Sequence, residues 1–267
     1  MEARCHLWWV EERNIAAHTA AVPRLIRGNK FGEMAVSDIE FALTETAYGF
    51  HPQTSLVCLE NTHNVAGGIS LPPEYMVQVS EVAHKHGAAV FVDGARLFNA
   101  AVARGVSVHE MAAPADALSL SLNKGLGAPY GSLLCGSAEF ITRARKHHPV
   151  LGSHSVHKEG MFAAAAIVAL ETMIPRLAED HTRARRLAEL LSEMDGIRVD
   201  METVQTNIVR VEIDSMSPAE FTERVLARGA GVSELDANSV KFITHHGISD
   251  ADIDAVAEIV REVLNLV

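Results

Sequence analysis

Short apolar runs alternate along the chain with segments of helical period, and several runs stop abruptly at polar residues. Ser55–Glu60 (SLVCLE), Ala88–Val92 (AAVFV), Ala117–Leu122 (ALSLSL) and Ser132–Cys135 read as strands. Their nearly unbroken apolar character suits strands covered on both faces. Between the first two, Glu74–His86 places Met76, Val79 and Val82/Ala83 at helical spacing, with Gly87 as a C-terminal cap. Ser37 and Glu40 have the spacing of a capping box that opens a short helix. An Ala-rich helix runs from about Lys158 to Met173, is punctuated by Pro175, and is followed by another to about Met194. This alternation predicts an α/β domain built on a mainly parallel sheet.

Beyond Gly196 the pattern changes. Ile197–Asp200, Asn207–Ile213 and Val240–Thr244 read as strands, and Ser217-Pro218-Ala219-Glu220 as a capping box with proline at the first helical position. Ser249 caps a last helix with Ile253, Val256, Val260, Val263 and Val267 on one face. The expectation is a large domain over residues 1–194 and a small α+β domain over residues 195–267.

Composition adds limits. A chain of 267 residues buries enough surface for one sizeable domain or two smaller ones. A formal net charge of -11 argues against a nucleic-acid partner and against anionic membranes. Cys5, Cys58 and Cys135 are too few for a disulfide framework and point to a reducing compartment. Glu11, Glu12 and Arg13 follow the first ten residues at once, so no signal-peptide core is expected, and no run has the length of a membrane span. These features predict a cytoplasmic protein.

The chemistry lies where apolar strands end, because α/β sheets bind ligands at the carboxyl ends of their strands. The first run ends in Glu60-Asn61-Thr62-His63-Asn64, the second in Asp93-Gly94-Ala95-Arg96, the third in Asn123-Lys124-Gly125-Leu126-Gly127. Taken singly, an Asp-Gly is an ordinary turn and a lysine before Gly-Leu-Gly an ordinary solvated residue. Together they deliver His63, Asp93, Arg96 and Lys124 to one edge. A lysine amine for a Schiff base and an acid for a pyridine nitrogen are what pyridoxal phosphate needs. A carboxylate about 4 Å from that nitrogen contributes roughly 4 kcal/mol at an effective dielectric near 20, about three pK units. Gly125 and Gly127 are expected to leave room for backbone beside the cofactor. His154-x-x-His157 has a metal-like spacing, but two ligands in a loop do not make a metal site, and none is expected.

The strings ENTHN (60–64), VDGARLFNAA (92–101), NKGLGAPYGSLLCGS (123–137) and FAAAAIVAL (162–170) resemble the low-specificity L-threonine aldolases, which are fold-type I pyridoxal-phosphate enzymes. The likeness runs in register through CHLWWVE (5–11), TN-V (206–209) and ITH (243–245). It implies a transferase-like fold and retro-aldol cleavage of β-hydroxy-α-amino acids, such as threonine and allo-threonine, to glycine and an aldehyde. It assigns Lys124 to the Schiff base and Asp93 to the ring nitrogen. The same resemblance implies that His6 stacks on the ring, that Arg96 holds the substrate carboxylate, and that His63 lies near the substrate hydroxyl as a general base. Fold-type I sites are commonly completed by a second subunit, so a homo-oligomer, a dimer or tetramer, is expected.

Three departures qualify that likeness. The family carries a further stretch before the position of His6, with a Ser-Gly-Thr segment for the cofactor phosphate, and weak cofactor binding is expected without it. The counterparts of a phosphate-contacting arginine are His157 and Lys158. Lys241 stands where the family has an arginine as a second carboxylate ligand, and keeps the charge without the planar fork. A β-eliminating lyase or a transaminase would use the same Lys124/Asp93 pair, and a shortened homologue without activity is the alternative from outside enzymology.

Overall fold

A computed structural model describes residues 1–45, 53–151 and 158–265. Its larger sheet is formed by β1 (Leu56–Glu60), β2 (Ala89–Gly94), β3 (Ala117–Ser121) and β4 (Ser132–Gly136), in that order. The first three strands are parallel and β4 is antiparallel to β3. The short 122–131 loop explains the reversal, since a parallel return needs a crossover of a dozen residues or more. The strands lie within a residue or two of the apolar runs that predict them.

Helices pack on this sheet and supply the crossovers. The first crossover carries α4 (Pro73–Lys85), and the second carries α5 (Leu97–Arg104) and α6 (Val108–Ala112). Before β1 lie α1 (His6–Trp9), α2 (Glu12–Thr19) and α3 (Val36–Thr44). The expected Ser37/Glu40 capping box does not form: α3 starts at Val36 behind Ala35, and Ser37 lies inside its first turn. Glu40 instead pairs with the Lys85 ammonium and the His86 ring, and a charge-assisted bond from Lys85 is stronger than one from a neutral backbone donor. After β4 come α7 (Ala138–His147), α8 (Glu159–Thr172) and α9 (Leu177–Ser192).

A second sheet, antiparallel throughout, has the order β5 (Ile197–Arg198), β6 (Ile208–Ile213), β8 (Ser239–Ile243), β7 (Ser233–Asp236). It carries α10 (Pro218–Leu226) and α11 (Asp250–Leu264). Ser217 caps α10 by accepting from Glu220 N–H, while the Glu220 carboxylate pairs with Arg224. At α11 the box is complete, with Ser249 and Asp252 each accepting from the other's backbone. Val267, placed on the same face of that helix by its spacing, lies outside the described residues.

Two apolar cores result, one under each sheet. Leu177, at the start of α9, belongs to the first core, and Ala184, Leu187 and Leu191 further along belong to the second. The helix therefore joins the two units as a packed strut. Thr206 Oγ1 donates to Gly68 O at 2.6 Å, and Ser70 N–H donates to Gln205 Oε1 at 3.2 Å. These bonds hold the second sheet against the loop that follows β1.

Candidate active site

Parallel strands β1, β2 and β3 end side by side. Glu60 of β1 lies opposite Asp93 of β2 in the strand register, and Asp93 lies opposite Ser119 of β3. The apolar pattern forces this alignment, because Val57, Leu59, Val90, Val92, Leu118 and Leu120 are all buried in the first core. The polar residues that follow each run are thus delivered to one edge.

Asp93 is buried, and its Oδ1 accepts from Ala95 N–H at 3.1 Å and from Ser119 Oγ at 3.5 Å. Arg96 stands at the foot of α5, and its Nε is buried without any hydrogen-bond partner. Burial pulls the guanidinium below its ordinary pKa, while the charges of Glu60 and Asp93 work the other way. Lys124 reaches solvent, yet protein atoms around its amine and the Arg96 charge still hold its pKa below the ordinary lysine value. Lys241, on β8 of the second sheet, is half-buried, and burial with Arg96 lowers it too. Among the described residues, Arg96, Lys124 and Lys241 make no ion pair. Arg96 and Lys124 after the strand ends and Lys241 from the second sheet thus lie within electrostatic reach of one another.

Gly125 holds the Lys124 loop in place, but not by leaving space beside a cofactor. A Cβ there would lie 2.9 Å from Asn99 Oδ1 and 3.0 Å from Leu177 Cδ2, so the missing side chain is replaced by close packing on α5 and α9. Asn99 is fixed in turn by His181 at 3.1 Å, a histidine that burial pushes down to about 4.

The two histidines separate. His6 opens α1 with a partly exposed ring, and its Nδ1 lies 2.9 Å from a Glu11 carboxylate oxygen. With that nitrogen donating, Nε2 carries the lone pair. His63 is enclosed. Its Nε2 lies 3.1 Å from Glu2, its Nδ1 accepts from Ala66 N–H at 3.3 Å, and a Cβ on Gly32 would meet its ring at 2.3 Å. The general-base role expected of His63 therefore lacks an open ring nitrogen, because the N-terminal segment has closed over it. His157 and His154 lie outside the described residues, and Lys158 is an exposed N-cap of α8.

Two residues without an assigned role stand at the centre. Glu60 accepts from His6 N–H at 2.7 Å and from Asn64 N–H at 2.8 Å, and Asn64 Oδ1 accepts from Lys241 Nζ at 3.1 Å. A carboxylate as the last residue of a buried apolar strand is the signal that could have singled out Glu60.

The residues fit pyridoxal phosphate. A depressed lysine amine without an ion pair suits addition to an aldehyde, a buried carboxylate at the neighbouring strand end suits a pyridinium, and the orphaned Arg96 Nε leaves a buried donor open to an anionic group beside them.

The family model described as β-eliminating lyase matches residues 1–214. Low-specificity L-threonine aldolase 1 of Arabidopsis thaliana is 38% identical over 254 residues, covering 93% of this chain and 70% of the relative. The low specificity L-threonine aldolase of Escherichia coli K12 is 36% identical over 205 residues, covering 77% of this chain and 59% of that one. Among solved structures, the threonine aldolase of Leishmania major superposes with a TM-score of 0.76 at 18% identity, covering 98% of this chain and 76% of that chain. Likeness at that identity shows the fold alone, which is fold-type I.

Proposed function

The chain belongs to the β-eliminating lyase family of pyridoxal-phosphate enzymes, and on that premise we propose that it cleaves β-hydroxy-α-amino acids of the threonine type to glycine and an aldehyde. The observation that carries this reading is the meeting of Asp93, Arg96 and Lys124 at one sheet edge with Lys241 reaching their electrostatic range from the second sheet, the Arg96 Nε being buried and unpartnered. The curated relatives named as L-threonine aldolases support the choice of substrate.

Lys124 supplies the amine that attaches the cofactor aldehyde, and its lowered pKa leaves more of it neutral near pH 7. Asp93 would pair with the ring nitrogen of the bound cofactor. When bound, pyridoxal phosphate supplies an electron sink for the pair left at Cα as the Cα–Cβ bond breaks. Arg96 and Lys241 hold the substrate carboxylate from two sheets. We assign the β-hydroxyl proton to His6 Nε2 rather than to His63. Glu11 keeps the His6 ring in the accepting tautomer and would stabilise the charge it gains. Loss of that proton turns the C–O bond into the aldehyde carbonyl, and a proton returned to Cα yields glycine. His63 anchors Glu2 beneath the site.

A symmetric dimer or tetramer belongs to the same reading, supported by the exposed apolar side chains of β4 and α8. The three free cysteines suit the cytoplasm. The reaction is tested by supplying L-threonine and pyridoxal phosphate and quantifying products. Glycine and acetaldehyde in equal amounts are expected. Ammonia with 2-oxobutanoate would show elimination and overturn the aldol reading.

A further inference from the structure

Glu60 makes contacts that neither its burial nor the strand it ends requires. It is 5% exposed, and its two oxygens are divided between separate segments: Oε2 takes the His6 N–H at the start of α1, and Oε1 takes the Asn64 N–H in the loop after β1. Asn64 passes the connection on, because its side-chain oxygen accepts from Lys241 Nζ on the second sheet. One carboxylate thus joins an N-terminal helix, a strand-end loop and a residue of the other structural unit.

Its charge reaches further. Arg96, Lys124 and Lys241 each feel the attraction of Glu60, although none forms an ion pair with it. Asp93, His63 and Cys5 also lie within electrostatic reach of it. Burial pushes the Glu60 carboxyl above the ordinary range, and the two N–H bonds pull the other way. A carboxylate enclosed this way is costly unless paired or hydrogen-bonded, and its two oxygens are met by backbone N–H groups rather than by a salt bridge.

We propose that Glu60 is a positioning residue of the reaction, a single buried carboxylate that sets His6 from one side and, through Asn64, Lys241 from the other. The proton-accepting and carboxylate-binding groups then keep one fixed separation, although one opens α1 and the other lies on β8. This rests on the aldol reading for its meaning but not for its test.

The test begins with the chain free of cofactor and substrate. Trace acetylation with peptide mapping compares the amines of Lys124 and Lys241 with Lys146, and hydrogen exchange follows the peptide spanning residues 1–19. In Glu60→Gln, loss of the charge should raise acetylation of Lys124 and Lys241 by about threefold or more, with Lys146 unchanged. The amide cannot accept from both N–H groups with the same strength, so exchange in 1–19 should quicken as well. Asn64→Ser keeps the Glu60 carboxylate and removes only the acceptor of Lys241, so acetylation should change at Lys241 and not at Lys124. In threonine cleavage, Asn64→Ser should act mainly on KM, and Glu60→Gln on both KM and kcat, each by about tenfold. Unchanged acetylation and exchange in a folded Glu60→Gln protein would overturn the proposal. If that variant does not fold, an unaltered Lys241 in Asn64→Ser would overturn it. Absence of glycine release by the unaltered protein would instead remove the aldol reading and leave the positioning result standing.

Discussion

Lys124 acts at the scale of one amine. Its lowered pKa comes from surrounding protein atoms first and from the Arg96 charge second, with Asp93, Glu60 and Glu11 opposing. Only the neutral amine attacks an aldehyde, so attachment of pyridoxal phosphate should quicken with pH and level off below the ordinary lysine value of about 10.4. Absorbance followed after mixing measures that profile. Borohydride reduction and peptide mapping should then place the label on Lys124. A label on Lys158 or Lys241, or a profile that levels off only above the ordinary value, would reassign the attachment site. Arg96→Ala should raise the Lys124 pKa by removing a repelling charge, and so move the profile to higher pH.

The elements show what was legible and why. β1, β2 and β3 stand out because buried parallel strands must be apolar on both faces, and their polar endings gave away Asp93, Arg96 and Lys124 before any geometry. β7 left no such trace, since Ser233-Glu234-Leu235-Asp236 buries only Leu235. Neither did α1 and α2, which bury no residue at all. Capping spacing was informative at Ser249 and misleading at Ser37, where Glu40 pairs with Lys85 instead. The enclosure of His63 was invisible because Glu2, which pairs with it, is 61 positions away in the chain. Glu2 also ties down its own segment, accepting from Arg4 N–H and Gly28 N–H. Burial works to raise the Glu2 pKa, and the hydrogen bonds from His63, Arg4 and Gly28 outweigh it, so the folded value is depressed. A depressed carboxyl contributes stability above its unfolded pKa and loses it as pH falls through the folded one. Glu2→Ala should therefore destabilise at neutral pH by at least about 1–3 kcal/mol, the cost of one buried group left unsatisfied. The gap to the unaltered protein should narrow as acid protonates Glu2. Denaturant melts at pH 7 and near pH 3 provide the comparison, and a gap of equal size at both would show that packing, not charge, sets the contribution.

At the scale of the whole molecule, the larger sheet ends at β4 with an edge that no strand pairs among the described residues. An open edge is a template for further pairing unless charge, a bulge or a covering element blunts it. Here Leu133 and Leu134 are both exposed, one on each face, and neither carries a blunting charge. Elsewhere in the fold α8 is apolar on all sides but buries only Ala166 and Ala169, leaving Met161, Phe162, Ile167 and Val168 exposed. Tyr130, beside the Lys124 loop, packs on Phe162 with ring centroids 5.4 Å apart. A helix apolar all round is normally an interior helix. Exposed apolar surface on this scale marks a face that associates. The chain alone should therefore self-associate in solution, with a sedimentation coefficient that rises with concentration. Leu134→Lys with Val168→Glu should lower that tendency without lowering the melting temperature, since neither side chain is part of a core. Each buried side chain of this size contributes about 1.5–3 kcal/mol when fully covered, so removing two should weaken association by roughly a hundredfold or more. A concentration-independent monomer in the unaltered chain would show that this face does not drive association. Equal association in the double variant would place the contact elsewhere.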